Sequence, residues 1–102
     1  MIIIKSEIGE RLRYLRKQKE DTLNNVSEAS GINLTILSKI ERGERLPTRE
    51  QLSSLANYYK YNKSELKTLL IAEKIIKDYG ISVDTHKAIS LVEKQIIKYL
   101  KK

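Results

Sequence analysis

Between Asn33 and Pro47 the chain reads NLTILSKIERGERLP. Within it, Asn33, Thr35, Ser38 and Lys39 offer hydrogen-bond donors, and Arg42 and Arg45 add fixed positive charge. Interleaved with them are Ile36, Leu37 and Ile40. At helical spacing such a segment buries one side and presents the other to something that wants donors and positive charge. That is the chemistry of recognition rather than of bond making. The 102 residues hold no Cys and a single His, so a thiolate zinc site and a His-rich metal site are both excluded. His86, on a lysine-rich stretch, reads as a surface residue. No nucleophile with a base, no paired carboxylates and no glycine-rich phosphate cradle are found, and Gly43 stands alone. The expectation is therefore a binding protein with no enzymatic activity, no metal and no cofactor.

The charge supports a polyanionic partner. The chain carries 20 Lys and Arg against 13 Asp and Glu, a net charge of +7 at pH 7, which also suits a solvated surface. No apolar run reaches the roughly 20 residues of a membrane span, and Met1–Ile4 is too short for a signal sequence. A cytoplasmic protein without a membrane partner is the expectation.

Six helices are predicted to position these groups. Ile8, Leu12 and Leu15 recur at helical spacing over Ser6–Gln18. Thr22 caps a second helix over Leu23–Ser30, with Val26 and Ala29 inward, and Gly31 ends it. Asn33 caps a third helix that runs to Glu41 or Arg42, where Gly43 stops it. Thr48 and Gln51 form a capping box for a fourth, with Leu52, Leu55, Ala56 and Tyr59 inward. Asn62 and Glu65 open a long fifth helix, carried by Leu66, Leu69, Leu70, Ala72, Ile75, Ile76 and Tyr79 to Gly80. The sixth, Val83–Lys101, gathers Ala88, Ile89, Val92, Ile96, Tyr99 and Leu100 on one side, with Leu91 and Ile97 widening the apolar arc. Tyr58, Tyr59, Tyr61 and Tyr79 lie mostly at core spacing and read as packing residues. Met1–Ile4 leaves two roles open, an extension of the first helix or a short strand paired with a second copy.

The second and third helices have the spacing of a helix-turn-helix. That unit needs a small residue where the helices approach, a turn residue four positions later and an apolar residue six beyond that. Ser27, Gly31 and Leu37 meet each requirement, with Val26, Ile32 and Ile40 as supporting core.

The segments IGERLRYLRKQK, NNVSEASGINLTILSKIERGERLPTREQLSSLANYY and NKSELKTLL resemble the XRE family, the Cro and phage-repressor type of bacterial DNA-binding domain. The resemblance covers Ile8 to about Leu70. It implies an all-α, five-helix, lambda-repressor-like DNA-binding domain over residues 1–70 and a C-terminal helical extension over 71–102. It places Leu34, Thr35 and Lys39 at base-reading positions, with Asn33 and Ser38 beside them. Lys suits guanine O6 or N7, Thr offers a hydroxyl and a methyl, and Leu suits a thymine methyl. It also implies a structural ion pair between Arg16 and Glu41, which explains an acid so close to the DNA face. Arg42 and Arg45 are expected on phosphates, with Lys17 and Arg49 as further candidates.

The chain departs from the family in its first loop. Glu20 and Asp21 stand where Gly and Leu are usual, so this loop is expected to be more acidic and more mobile. Leu23 replaces a Gln that contacts phosphate.

The layout of the tail is similar to small XRE regulators that sit beside DNA methyltransferase and restriction genes. The expectation is a sequence-specific transcriptional regulator that binds a palindromic operator in double-stranded DNA as a homodimer. Ile89, Val92, Ile96, Tyr99 and Leu100 would supply the dimer contact. The competing expectation is an antitoxin-like or methyltransferase-associated interaction module that binds a protein partner through residues 71–102, with DNA binding secondary.

Overall fold

Apolar side chains spaced three and four apart have to be covered, and five helices cover them with one another. The computed structural model describes residues 6–101, so the segment Met1–Ile4 lies outside the described residues. The helices are α1 (Glu7–Gln18), α2 (Leu23–Ser30), α3 (Leu34–Glu41), α4 (Arg49–Tyr59), α5 (Lys63–Tyr79) and α6 (Val83–Leu100). No strand occurs among the described residues. The core is built from Ile8 and Leu12 of α1, Val26 of α2, Ile32, Leu37 and Ile40 around α3, Leu52, Leu55 and Ala56 of α4, and Leu66 and Leu70 of α5. Removing such side chains from water stabilises by about 1.5–3 kcal/mol each. Helices α1 to α5 pack against one another around this core.

Each helix starts on a side-chain cap, which satisfies backbone N–H groups that no carbonyl can reach. Ser6, Thr22, Thr48, Asn62 and Ser82 each accept from the N–H three residues on, and Asn33 accepts from those of Thr35 and Ile36. The Thr48–Gln51 box is closed from both sides, at 3.0 and 3.1 Å. At the other end of α2, Gly31 adopts φ 77°, the left-handed region open to glycine.

Several side chains sit elsewhere than their spacing suggests. Ala29 is exposed, because the short α2 turns only Val26 fully into the core. Tyr58, Tyr59 and Tyr61, by contrast, do pack as their spacing suggests, half-buried against the core rim. Tyr79 is exposed, and so is Ala72, because α5 has by then run past the other core helices.

The first loop is tied down rather than loose. The Asp21 N–H donates to the Arg16 carbonyl at 3.0 Å, and Arg16 Nη1 donates to the Asp21 carbonyl, also at 3.0 Å. The Tyr58 hydroxyl donates to the Asp21 carboxylate. Lys19 Nζ lies 4.1 Å from the centre of the Tyr58 ring. Asp21 thus does by polar contacts what an apolar residue would do by packing. Glu20 pays for this arrangement with a left-handed backbone, φ 55°, in which its Cβ is crowded.

Helix α5 runs unbroken across residue 70, and its Glu73 reaches back to α1. The Glu73 carboxylate accepts from the Ile8 N–H at 2.9 Å and from the Ser6 hydroxyl at 3.0 and 3.1 Å. Helix α6 is different: none of its residues is buried and it packs closely on no other helix. A compact chain of this length would have a radius of gyration of about 13 Å, whereas this one has 15.6 Å.

The strained loop gives a direct test. Glu20→Gly relieves the left-handed strain and is expected to stabilise the fold by about 1 kcal/mol, read as a rise of several degrees in the thermal midpoint. An unchanged or lower midpoint would show that the Glu20 side chain compensates for its backbone.

Candidate nucleic-acid interface

The geometry of α3 begins with how closely it approaches α1. Gly9 is buried where the two helices cross, and a Cβ there would stand 2.5 Å from the Ile40 carbonyl oxygen and 2.9 Å from that of Glu41. Only glycine permits the contact. The same crossing holds an ion pair. Arg16 Nε donates to Glu41 Oε2 and Arg16 Nη2 to Glu41 Oε1, both at 2.9 Å. The side chains are 16% and 8% exposed. This two-pronged geometry fixes α3 in rotation as well as position, because the planar guanidinium donates to both carboxylate oxygens in one orientation only. The hydrogen bonds to Glu41 raise the Arg16 pKa above its ordinary value. Beside the pair, burial pushes the Tyr59 phenol well above its usual range, with the Glu41 charge adding to the shift.

The turn between α2 and α3 is fastened by serine hydroxyls. Ser27 Oγ donates to the Ile32 carbonyl at 2.6 Å, and Ser30 Oγ donates to the Val26 carbonyl at 2.6 Å while accepting from the Ile32 N–H at 3.2 Å. Ser27 therefore does more than fit a narrow space, since alanine there would leave the Ile32 carbonyl without this partner.

With α3 fixed, its remaining side faces outward. Leu34, Thr35 and Ser38 line a shallow depression together with Arg42 and with Thr22, Leu23 and Asn24 at the start of α2. Leu34 is 40% exposed on that outward side. Lys39 is exposed outside this depression. The Asn33 side-chain oxygen is occupied with capping, at 2.8 and 3.3 Å from the Thr35 and Ile36 N–H groups. Leu23 is half-buried against the core, so its neighbours Thr22 and Asn24 are the polar groups that α2 brings to the depression. The helical period alone did not single those two out.

The other cations are distributed. Arg42 Nε pairs with Glu44 Oε2 at 2.7 Å, both side chains more than half exposed. Arg45 lines a separate depression with Ser6, Leu46, Leu69 and Glu73. Arg49 lines a third with Lys63 and Lys67. Lys17 is exposed on α1. Arg11, on the same helix, donates to Tyr61 and Glu65, an exposed link from α1 to the start of α5. Among the described residues no group of His, Cys, Asp and Glu could hold a metal ion, and no helix is long and apolar enough to cross a membrane.

A tight turn, a pinned second helix and an outward polar face are the parts of a helix-turn-helix, and residues 9–70 match the family model described as a helix-turn-helix domain. The chain belongs to that family, as an XRE-type transcriptional regulator with a lambda-repressor-like DNA-binding domain. Such regulators are in general not enzymes. The chain is 38% identical over 58 residues to the HTH-type transcriptional regulator YazB of Bacillus subtilis, covering 57% of this chain and 84% of YazB. It is 42% identical over 53 residues to DdrOP3 of Deinococcus deserti and 36% identical over 53 residues to ClgR of Mycobacterium tuberculosis, each match covering 52% of this chain. The matched stretch spans only 41% of DdrOP3 and 47% of ClgR. Among solved structures, the restriction-modification controller protein C.AhdI of Aeromonas hydrophila superposes with a TM-score of 0.57 at 28% identity, over 60% of this chain and 92% of that one.

Two tests follow from the supports of α3. Removing either Arg16 or Glu41 leaves a largely buried charge alone, so Arg16→Ala and Glu41→Ala should each cost about 2–4 kcal/mol. In a double-mutant cycle their effects should be strongly non-additive, and additive costs would show that the pair contributes nothing as a pair. The second test is pH. The Tyr58 hydrogen bond holds the Asp21 carboxyl below its ordinary value of 3.8. A depressed carboxyl stabilises the fold above its unfolded pKa and loses that contribution as the pH falls through the folded one. Tyr58→Phe should therefore flatten the fall of the thermal midpoint below about pH 4; an unchanged acid limb would remove Asp21 from the account.

Proposed function

We propose that this regulator binds a palindromic operator as a homodimer and reads it through the outer face of α3. The observation that carries the reading is the shared depression, where Leu34, Thr35 and Ser38 of α3 meet Arg42 and the polar start of α2. Leu34 and Thr35 suit thymine methyls, and the Thr35 and Ser38 hydroxyls suit base edges. Lys39, one turn from Thr35, is the donor for guanine. Asn33, whose oxygen is engaged, has its amide hydrogens left for a base or a phosphate. Arg42, Arg45, Lys17 and Arg49 position the domain on phosphates, Arg42 after exchanging Glu44 for a phosphate oxygen.

One domain of this size gives a small contact. Two copies related by a two-fold axis double it and match half-sites roughly 34 Å apart. Ile89, Val92, Ile96, Tyr99 and Leu100 on the extension are the dimer contact in this reading, with residues 1–70 as the DNA-binding domain. The likeness to a restriction-modification controller supports regulation of a neighbouring methyltransferase or restriction function. The uncovered apolar surface of α6 also favours a second reading, an antitoxin-like or methyltransferase-associated module whose tail binds a different protein. Whether the pure protein alone dimerises and shifts DNA separates the two.

Selection from random duplexes should yield a two-fold symmetric site. On that site Lys39→Ala should cost about 1–3 kcal/mol and relax preference at one base pair. An equal loss on random DNA would make Lys39 a phosphate contact. Arg42→Ala and Arg45→Ala should weaken binding to all sequences, each lowering the salt slope by roughly one. Failure to select any sequence would overturn the reading.

A further inference from the structure

Helix α6 follows α5 through Gly80–Ser82, and the turn between them is firmly built. The Gly80 N–H donates to the Ile76 carbonyl at 2.8 Å, the Ser82 hydroxyl accepts from the Thr85 N–H at 3.1 Å, and Thr85 Oγ1 donates to the Tyr79 carbonyl at 3.2 Å. Yet the two helices do not close on each other. Between them lies a cleft of about 670 Å³, with Ile75 and Tyr79 on one wall and Ala88, Ile89 and Val92 on the other. A fixed turn and a cleft that is mainly apolar, polar at Ser82, Asp84 and Thr85 beside the turn, make an open hairpin with room for the face of another helix.

The apolar residues of α6 extend beyond the wall of that cleft. Ile96, Tyr99 and Leu100 continue the same side toward the C-terminal end, 52%, 73% and 72% exposed. Leu91 and Ile97 lie to either side of that stripe, 59% and 43% exposed. They make the apolar side of α6 broader than a single docking seam needs, while Lys87, Lys94 and Lys98 keep the opposite side polar. On α6 the exposed apolar side chains present on the order of 800 Å², the share each partner contributes to a standard interface. That exceeds what a soluble monomer leaves bare.

We infer that α6 of one copy enters the α5–α6 cleft of a second copy, so that two hairpins interlock as a bundle of four helices. The inference rests on the homodimer reading above and specifies its contact surface. Interlocking covers the cleft wall and the side chains flanking it at once, which side-by-side docking of one stripe does not. It is reciprocal, because the same two surfaces meet twice across a two-fold axis. A four-helix bundle built from two helical hairpins is a stable packing of such faces. A different protein occupying the cleft would have to supply a helix of similar apolar breadth, and the chain already carries one.

The absence of native cysteine makes the test clean. Full-length Ile75→Cys and Val92→Cys proteins are prepared separately, mixed, unfolded, refolded together and oxidised. The expected result is a disulfide joining one Ile75→Cys chain to one Val92→Cys chain, in a particle of twice the chain mass by light scattering. Val92→Glu, at a site already 49% exposed, should halve the measured mass with an unchanged far-UV circular dichroism spectrum. A dimer that never forms the mixed disulfide would overturn the interlocking and leave the homodimer reading in place. A protein monomeric at all concentrations would overturn both.

Discussion

The structure depends on how tightly α3 is held against α1. A helix of eight residues is too short to be stable alone, and Leu34, Thr35 and Lys39 on its outward face are exposed. Its stability therefore has to come from the opposite side. Leu37 and Ile40 supply apolar burial, the bare Gly9 lets the backbones meet, and the Arg16–Glu41 pair fixes rotation about the axis. Each does something the others cannot. Apolar packing alone would tolerate a small roll of the helix, and a roll would move Leu34 and Thr35 on its outward face. The fork of Arg16 removes that freedom.

The remaining contacts hold α1 in turn. Glu73 of α5 ties down its first residues, and Asp21 with Tyr58 ties the loop at its other end to α4. The outward face of α3 thus stands on a frame that begins at α5. A helix reaching beyond residue 70 braces α1 as well as leading on to α6.

Much of this was legible from residue types. The caps at Thr22, Asn33, Thr48 and Asn62 and the glycine stop at Gly31 follow from local chemistry that needs no tertiary information, so the helix limits could be read directly. The helix-turn-helix spacing could be read for the same reason. What could not be read depends on partners distant in the chain. Glu73 looks like any charged residue in α5 until α1 lies beside it. Asp21 looks like a loosening of the first loop until Tyr58 and Arg16 reach it. Gly9 shows no sign of its role, since the atoms it must avoid belong to residues 40 and 41. Ala29 and Tyr79 are apolar residues at inward spacing on helices that are too short, or run on too far, to bury them.

The central claim is that the outer face of α3 meets DNA while the α5–α6 hairpin does not. Amide chemical shifts of the isotopically labelled protein, followed during titration with a selected duplex, test it most directly. The account predicts the largest changes at residues 33–39 and at the start of α2, with α6 unaffected. Changes concentrated on α5 and α6, with residues 33–39 silent, would contradict it.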